Sequence, residues 1–269
     1  MALSGGGMKG IAMLGAMVEF QKQGWLGGVR RYAGTSIGAI IAAVLALDRD
    51  LERVFADHVH QFRYSSTYDI GGLDKTFGLD TGEGLKGWID AVLREPITFK
   101  EVKHRHGSTL LVCASNLNTR SPVIFGPETH PDMDVATALR MSCSIPLYFA
   151  ATTYRHELYV DGALTQNFPV AAASQSGRYR VLGVKLVGSH KPVGYTWSLD
   201  SFLGALVDCT LDRPLPPEIA KKAVVFDLNA GPGTQPVNFR MPPDAMKRVF
   251  VSGKTQAREF MSIYSKKNV

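Results

Sequence analysis

Cysteine is scarce in this chain, and the shortage narrows what it can be. Cys113, Cys143 and Cys209 are the only three in 269 residues and lie far apart with no C-x-x-C pair. That speaks against a disulfide framework or a zinc site and fits a reducing compartment such as the cytoplasm. Cys143 stands between two serines ahead of Ile145-Pro146, and as a catalytic thiol it would need a base beside it. Long apolar runs are missing as well. None approaches the roughly 18–20 residues that span a bilayer, and Gly5-Gly6-Gly7 interrupts the N-terminus where a signal peptide would need an apolar stretch. Any membrane contact is therefore expected to be peripheral. Ligand spacing for a metal is absent too: His58/His60 and His104/His106 are two apart, which on a helix points each pair to different faces. Neither a metal nor another cofactor is expected.

Acidic residues are missing from one informative place. The run Gly5-Gly6-Gly7-Met8-Lys9-Gly10, followed by a helix from Ile11 to about Gln23, fits G-x-G-x-x-G, so a nucleotide site must be considered. A dinucleotide fold wants a carboxylate about 20 positions further on to hold the ribose. Between Glu19 and Asp48 there is no Asp or Glu at all. A phosphate-binding P-loop wants Gly-Lys-Ser/Thr, and Lys9 is followed by Gly10-Ile11. The remaining chemical use of such a loop is as an oxyanion hole. Glycine N–H groups at a helix N-terminus can point at one oxygen, with Lys9 adding charge beside them. A glycine-rich turn that serves packing alone is the plain alternative.

What is present is a nucleophile elbow. Gly34, Ser36 and Gly38 give the spacing G-x-S-x-G across Tyr32–Ala39, where a short strand turns into an apolar helix, Ile37–Leu47. A serine on so sharp a turn has strained backbone angles, and a β-carbon two residues to either side would strike the neighbouring chain. Ser36 would then sit at a helix N-terminus that favours developing negative charge. The plain alternative is a tight turn capped by its serine. Ser36 needs a base, and Asp161, at the end of the predicted strand Leu158–Val160 and followed by Gly162-Ala163, is a carboxylate that a strand end can present. His190 offers another reading, since Ser36, Asp161, His190 follow the chain order of an α/β-hydrolase triad. At most two short strands precede Ser36, however, fewer than that fold places before its elbow.

Along the rest of the chain, Asp50–Phe62 reads as a helix and Arg63–Glu83 as a long polar loop, a candidate lid or lipid-facing flap. Leu85, Trp88, Ile89 and Val92 form one buried helical stripe, with Trp88 read as core. Thr98-Phe99-Lys100-Glu101 is a capping box. Strands are predicted at Thr109–Ala114, Pro122–Phe125, Tyr179–Val187 and Ala223–Leu228, and helices at Asp134–Ser142 and Ser198–Leu211. A further helix should start at Asn167-Phe168-Pro169-Val170, with Asn167 as its cap. Strands alternating with helices predict an α/β fold, a three-layer sandwich around a mainly parallel sheet. No internal repeat or linker divides the chain, so residues 1–269 are expected to form a single domain. Net charge is +6, and residues 244–269 carry six Lys/Arg against two Asp/Glu, or +4 of it. Met246, Val249, Phe250, Gly253, Ala257, Phe260, Met261 and Tyr264 form an apolar stripe there. Lys247, Arg248, Lys254 and Arg258 are left to face solvent or an anionic membrane. No nucleic-acid partner is expected.

Taken together, Ser4–Gly10, Gly34-Thr35-Ser36-Ile37-Gly38 and Asp161-Gly162-Ala163 resemble the three ordered motifs of the patatin-like phospholipase family. Ile97–Val102, Ala138–Pro146 and Asn167–Val170 are similar too, so the resemblance is clearest over residues 2–190. It implies a patatin-like fold and a lipid acyl hydrolase with a Ser–Asp dyad. Ser36 would be the nucleophile, Asp161 the base, and Gly5, Gly6, Gly7, Met8, Lys9 and Gly10 the oxyanion hole. Lys9 stands where many relatives have Arg, and relatives usually have a longer first strand. The implied partner is a lipid substrate at a membrane surface, with room for an activating partner. A non-catalytic lipid- or partner-binding module on the same fold is the alternative of a different class.

Overall fold

Side chains alternate across a strand, and in this chain the alternation divides the core between two faces of one sheet. The computed structural model describes residues 1–59, 73–174, 180–188, 198–211, 214–231 and 234–267. In chain order the strands are β1 (Ala2–Leu3), β2 (Arg31–Thr35), β3 (Gly78–Asp80), β4 (Thr109–Asn116), β5 (Ser121–Phe125), β6 (Leu147–Phe149), β7 (Thr152–Tyr154), β8 (Glu157–Asp161), β9 (Val181–Val187) and β10 (Ala223–Asn229). The helices are α1 (Gly10–Lys22), α2 (Ile37–Ala46), α3 (Leu51–Val54), α4 (Leu73–Thr76), α5 (Glu83–Leu93), α6 (Phe99–His106), α7 (Val135–Ser142), α8 (Ala163–Gln166), α9 (Val170–Ala173), α10 (Leu199–Leu211), α11 (Pro217–Ala220) and α12 (Pro243–Lys267). Leu3, Tyr32, Leu110, Val112, Val184 and Phe226 join one hydrophobic cluster with α1, α2, α5 and α12. Their strand neighbours Ala2, Ala33, Leu111, Val181 and Ala223 join a second cluster with Val170 and Ala173 of α9. A sheet covered on both faces is the three-layer α/β arrangement expected from the sequence.

The main sheet runs β10-β9-β1-β2-β4-β8-β7, with β5 also on β4. β10, β9, β1, β2 and β4 are mutually parallel, and β5, β8 and β7 are joined antiparallel. The registers decide what happens at the end of β2. β2 pairs with Thr109–Cys113 of β4 and β5 with Val112–Asn116, so the two share Val112 and Cys113 and must lie on opposite edges. β5 and β8 share Ala114, Ser115 and Asn116, so β8 lies on the edge that β2 uses. β2 stops at Thr35 opposite Cys113, and the next residue of β4, Ala114, faces Asp161. The end of β8 thus meets the end of β2 head to head.

Most sequence-predicted elements are found within one or two residues, and the differences have physical reasons. The helix expected over Asp50–Phe62 is one α-turn capped by the Asp50 carboxylate, continuing as a π-helical turn, Phe55–Val59; the rest lies outside the described residues. Of the expected flap, residues 63–72 lie outside the described residues, while its second half is anchored. There α4 leads into β3, which pairs with β6 in a separate two-stranded sheet. β6, β7 and α11 were not anticipated, being short and lacking periodicity. Asn167 is not the N-cap of α9, a place Pro169 takes; it closes the C-terminal end of α8, and its side chain accepts from the Gly5 N–H. In α10 Leu203 is buried, whereas Leu199, Phe202 and Leu206 are about half exposed. The C-terminal stripe does dock: Met246, Val249, Phe250, Ala257 and Met261 are buried against α1. A Cβ on Gly253 would stand 1.9 Å from the Ala12 carbonyl oxygen, and one on Gly15 would stand 2.0 Å from that of Phe250. Glycines therefore let the two backbones cross in contact. Two of the predicted solvent-facing cations are paired, Arg258 across this seam with Glu19 of α1 and Lys254 with Glu52 of α3.

Candidate active site

Ser36 has φ 53° and ψ −128°, a strained conformation for a residue with a side chain. The flanking glycines make it possible. A Cβ on Gly34 would lie 2.4 Å from the Gly38 carbonyl oxygen, and one on Gly38 would lie 2.4 Å from that of Ser4. Ser36 is also the N-cap of α2, yet its hydroxyl makes no capping bond. It donates instead to Asp161 Oδ2 at 2.7 Å. The plain reading of a serine serving its own turn therefore does not describe this residue.

Asp161 is nearly inaccessible, at 3% exposure. Its other oxygen, Oδ1, accepts from the Ala163 N–H at 2.8 Å, the service that Gly162-Ala163 perform. Gly162 is needed because a Cβ there would meet the Cys113 carbonyl oxygen at 2.3 Å. Burial raises the Asp161 pKa from 3.8 to about 6, opposed by the Ala163 N–H and the Ser36 hydroxyl, which favour the charged form. The carboxylate is thus available as a proton acceptor near neutral pH.

Sequence reasoning missed the element that holds this pair. The C-terminal end of α7 grips both residues: the Ser36 N–H donates to Ser142 Oγ at 2.8 Å, and the Asp161 N–H donates to the Ser144 carbonyl at 2.8 Å. Ser142 in turn donates to the Cys113 carbonyl at 2.6 Å. Arg140 is buried; it donates to Ser144 Oγ and to the carbonyls of Thr81, Gly82 and Ala150. The signal was available as Ser142 and Ser144 beside the apolar residues that close α7, because a buried hydroxyl requires a partner. Burial pushes the Cys143 thiol between them above its ordinary range.

The glycine loop borders Ser36, and its amides divide into two sets. Gly5 donates to Asn167 through both the backbone and the side-chain oxygen, Met8 to Pro236, Lys9 to Gly6, and Gly10 to Gly7. Among the described residues, the N–H groups of Gly6 and Gly7 have no acceptor. Gly7 has φ 54°, and a Cβ there would stand 2.1 Å from the Pro236 carbonyl oxygen. Lys9 does not offer a free charge to the loop. It is buried, and its ammonium meets Asp208 of α10 at 2.5 Å. Thr35 and Ile37 complete the elbow: the Thr35 hydroxyl donates to the Gln166 carbonyl, and Ile37 lines a cleft with Ser36. This cleft contains about 780 Å³ of empty space, part of it open to solvent, and runs between α1, α2 and α5. Trp88, expected as core, is half-buried and forms part of its wall, its indole N–H donating to the His58 carbonyl at 3.0 Å. His190 lies outside the described residues. Among the described residues, no group of three or more His, Cys, Asp or Glu is placed to hold a metal ion.

The chain is similar to known proteins. A family profile described as patatin-like phospholipase matches residues 1–174. The chain is 30% identical over 186 residues to the probable lipid hydrolase 463L of Invertebrate iridescent virus 6, covering 64% of this chain and 62% of that protein. It is 32% identical over 204 residues to the uncharacterized protein YqhO of Bacillus subtilis (strain 168), covering 68% of this chain and 69% of that one. Among solved structures, VipD from Legionella pneumophila superimposes with a TM-score of 0.64 at 13% identity, over 97% of this chain and 66% of that one. That likeness concerns the fold and extends past residue 174. With the profile spanning both Ser36 and Asp161, the chain belongs to the patatin-like phospholipase family.

Proposed function

We propose that this protein is a serine lipid acyl hydrolase, cleaving fatty-acyl esters of phospholipids or related lipids through an acyl-enzyme on Ser36 with Asp161 as general base. The observation that carries this is the 2.7 Å hydrogen bond from the Ser36 hydroxyl to a buried carboxylate. The Asp161 carboxylate takes the hydroxyl proton as Ser36 Oγ attacks the ester carbonyl, and the neutral acid then returns the proton to the departing alcohol. Water then attacks the acyl carbonyl while Asp161 takes its proton, and Asp161 returns that proton to Ser36 Oγ as the bond to the fatty acid breaks. The tetrahedral oxyanion falls to the N-terminus of α2 and to the Gly6 and Gly7 amides, which have no acceptor among the described residues. The lysine–aspartate pair gives Lys9 a positioning role for the loop. No step calls on a metal or on His190.

The same reading takes residues 1–269 as one patatin-like domain, supported by elements after residue 174 that share the core of the N-terminal half: Phe226 and Phe260 both contact Phe20. It places the enzyme in the cytoplasm with peripheral contact to membranes, supported by three unpaired cysteines. Among the described residues, no helix is long and apolar enough to cross a membrane. A fluorophosphonate probe should label Ser36 in the wild type, and Ser36→Ala should remove ester turnover while leaving the circular dichroism spectrum unchanged. Substantial turnover by purified Ser36→Ala would refute the reading. An unlabelled, inactive wild type would return the chain to the binding-module alternative.

A further inference from the structure

The cleft beside Ser36 has a direction and an end. Ile37, Ile40, Ile41 and Val44 line it at the i, i+3, i+4, i+7 spacing of a single stripe on α2, and Ile11 and Leu14 line it from α1. The two helices start side by side: α2 begins directly after Ser36, and a Cβ on Gly10, the first residue of α1, would meet the Ile37 side chain at 2.2 Å. Gly7 and Ile37 beside the serine are partly exposed, as are Val59 and Trp88 among the other lining residues, whereas Leu14, Ile41, Val44 and Val54 are at most 4% exposed. Among the described residues, the cleft therefore runs down α2 from the reacting hydroxyl to a floor formed by Leu14, Val44 and Val54.

We infer that this floor gauges the acyl chain, so that binding improves with chain length up to about eight to ten carbons and then stops improving. The inference rests on the acyl-hydrolase reading. Val44 lies eight residues beyond Ser36, about 12 Å at the helical rise, and its side chain leans back toward the serine, leaving ~10 Å. An extended chain advances roughly 1.2 Å per bond, from the ~3.5 Å reach of three backbone bonds. Each methylene entering an apolar slot gains at most about fourfold in kcat/KM, the rate equivalent of one fully buried CH2. Carbons beyond the floor gain nothing. Val44 is thus a specificity-determining residue.

The test measures kcat/KM for p-nitrophenyl esters from two to fourteen carbons, each kept below its aggregation concentration. In the wild type log kcat/KM should climb with length and level off near eight to ten carbons. Val44→Phe should move the break about two to three carbons shorter by filling the floor, and Val44→Ala about one to two longer by opening it. If Val44→Phe fails to fold by circular dichroism, the direction of the Val44→Ala shift decides. An undiminished climb past twelve carbons, or a break at the same length in every folded variant, overturns the gauge while leaving the hydrolase in place. No hydrolysis at any length, together with no fluorophosphonate labelling, defeats the underlying reading and the gauge with it.

Discussion

Ser36 sits where a serine hydroxyl ordinarily serves its own helix, and here it is committed to a carboxylate 125 positions away in the chain. The pH behaviour follows from the burial of that carboxylate. Asp161 titrates near 6 in the fold, so kcat/KM should rise about tenfold per pH unit up to that limb and be flat above it. A limb set near 4 instead would contradict a buried base. Stability moves the other way. A carboxyl raised above its unfolded value contributes stability that is whole below pH 3.8 and lost as pH rises through about 6. Asp161→Asn removes that penalty, so its unfolding free energy relative to wild type should grow by about 2 kcal/mol between pH 4 and pH 8 in urea titrations. Activity, by contrast, should fall at least roughly a hundredfold. Ser142 is a positioning residue for the same pair. Ser142→Ala leaves the Ser36 N–H without its acceptor, and kcat should drop roughly tenfold to a hundredfold with KM little changed. Ser142→Thr should recover most of that loss, whereas a merely space-filling role would be satisfied by alanine.

At the scale of elements, short-range pattern was a good guide where the pattern served one surface. The capping box at Thr98 and Glu101 forms as read, and the α12 stripe buries as read. It misled where one element answers to two neighbours. α10 carries an apolar stripe, but contact with α8 and β9 and the Lys9–Asp208 pair turn Leu203 inward and leave Phe202 outside. The α1–α12 crossing is the strictest of these contacts, because a carbonyl occupies the place of a β-carbon on each side. Gly253→Ala should force the helices apart and cost about 1–3 kcal/mol, read as a lowered Tm. The exposed Gly87 in α5, whose Cβ would meet nothing within 4 Å, should tolerate the same change.

For the molecule as a whole, the reaction drawn above needs only groups carried on the sheet's C-terminal edge. Hydrolysis of a soluble ester is therefore expected to survive EDTA. Loss on chelation with rescue by calcium would reopen the mechanism, whereas an effect confined to vesicles would concern membrane contact. The basic C-terminal helix is more occupied than its composition implied. Lys254 is shared between Glu52 and the ring of Phe250, and Arg258 holds the buried Glu19. Among the predicted cations, Lys247 and Arg248 make no ion pair with described residues.

By itself, the sequence determined the local devices: the elbow glycines, the glycine loop, the aspartate with its glycine-alanine turn, and the alternation that assigns each strand residue to one of two faces. These are short-range steric and periodic requirements, and a few consecutive residues state them. Only the tertiary structure decided that Ser142 and Ser144 hold the pair, that Asn167 occupies a Gly5 amide, and that Lys9 is neutralised by Asp208 rather than left beside the oxyanion. It also decided, among the described residues, which loop amides have no acceptor and where the cleft ends. Each of these depends on a register or a helix crossing between segments distant in the chain. Hydrogen-bond partners and cavities are properties of such meetings, and no stretch of sequence contains both sides of one.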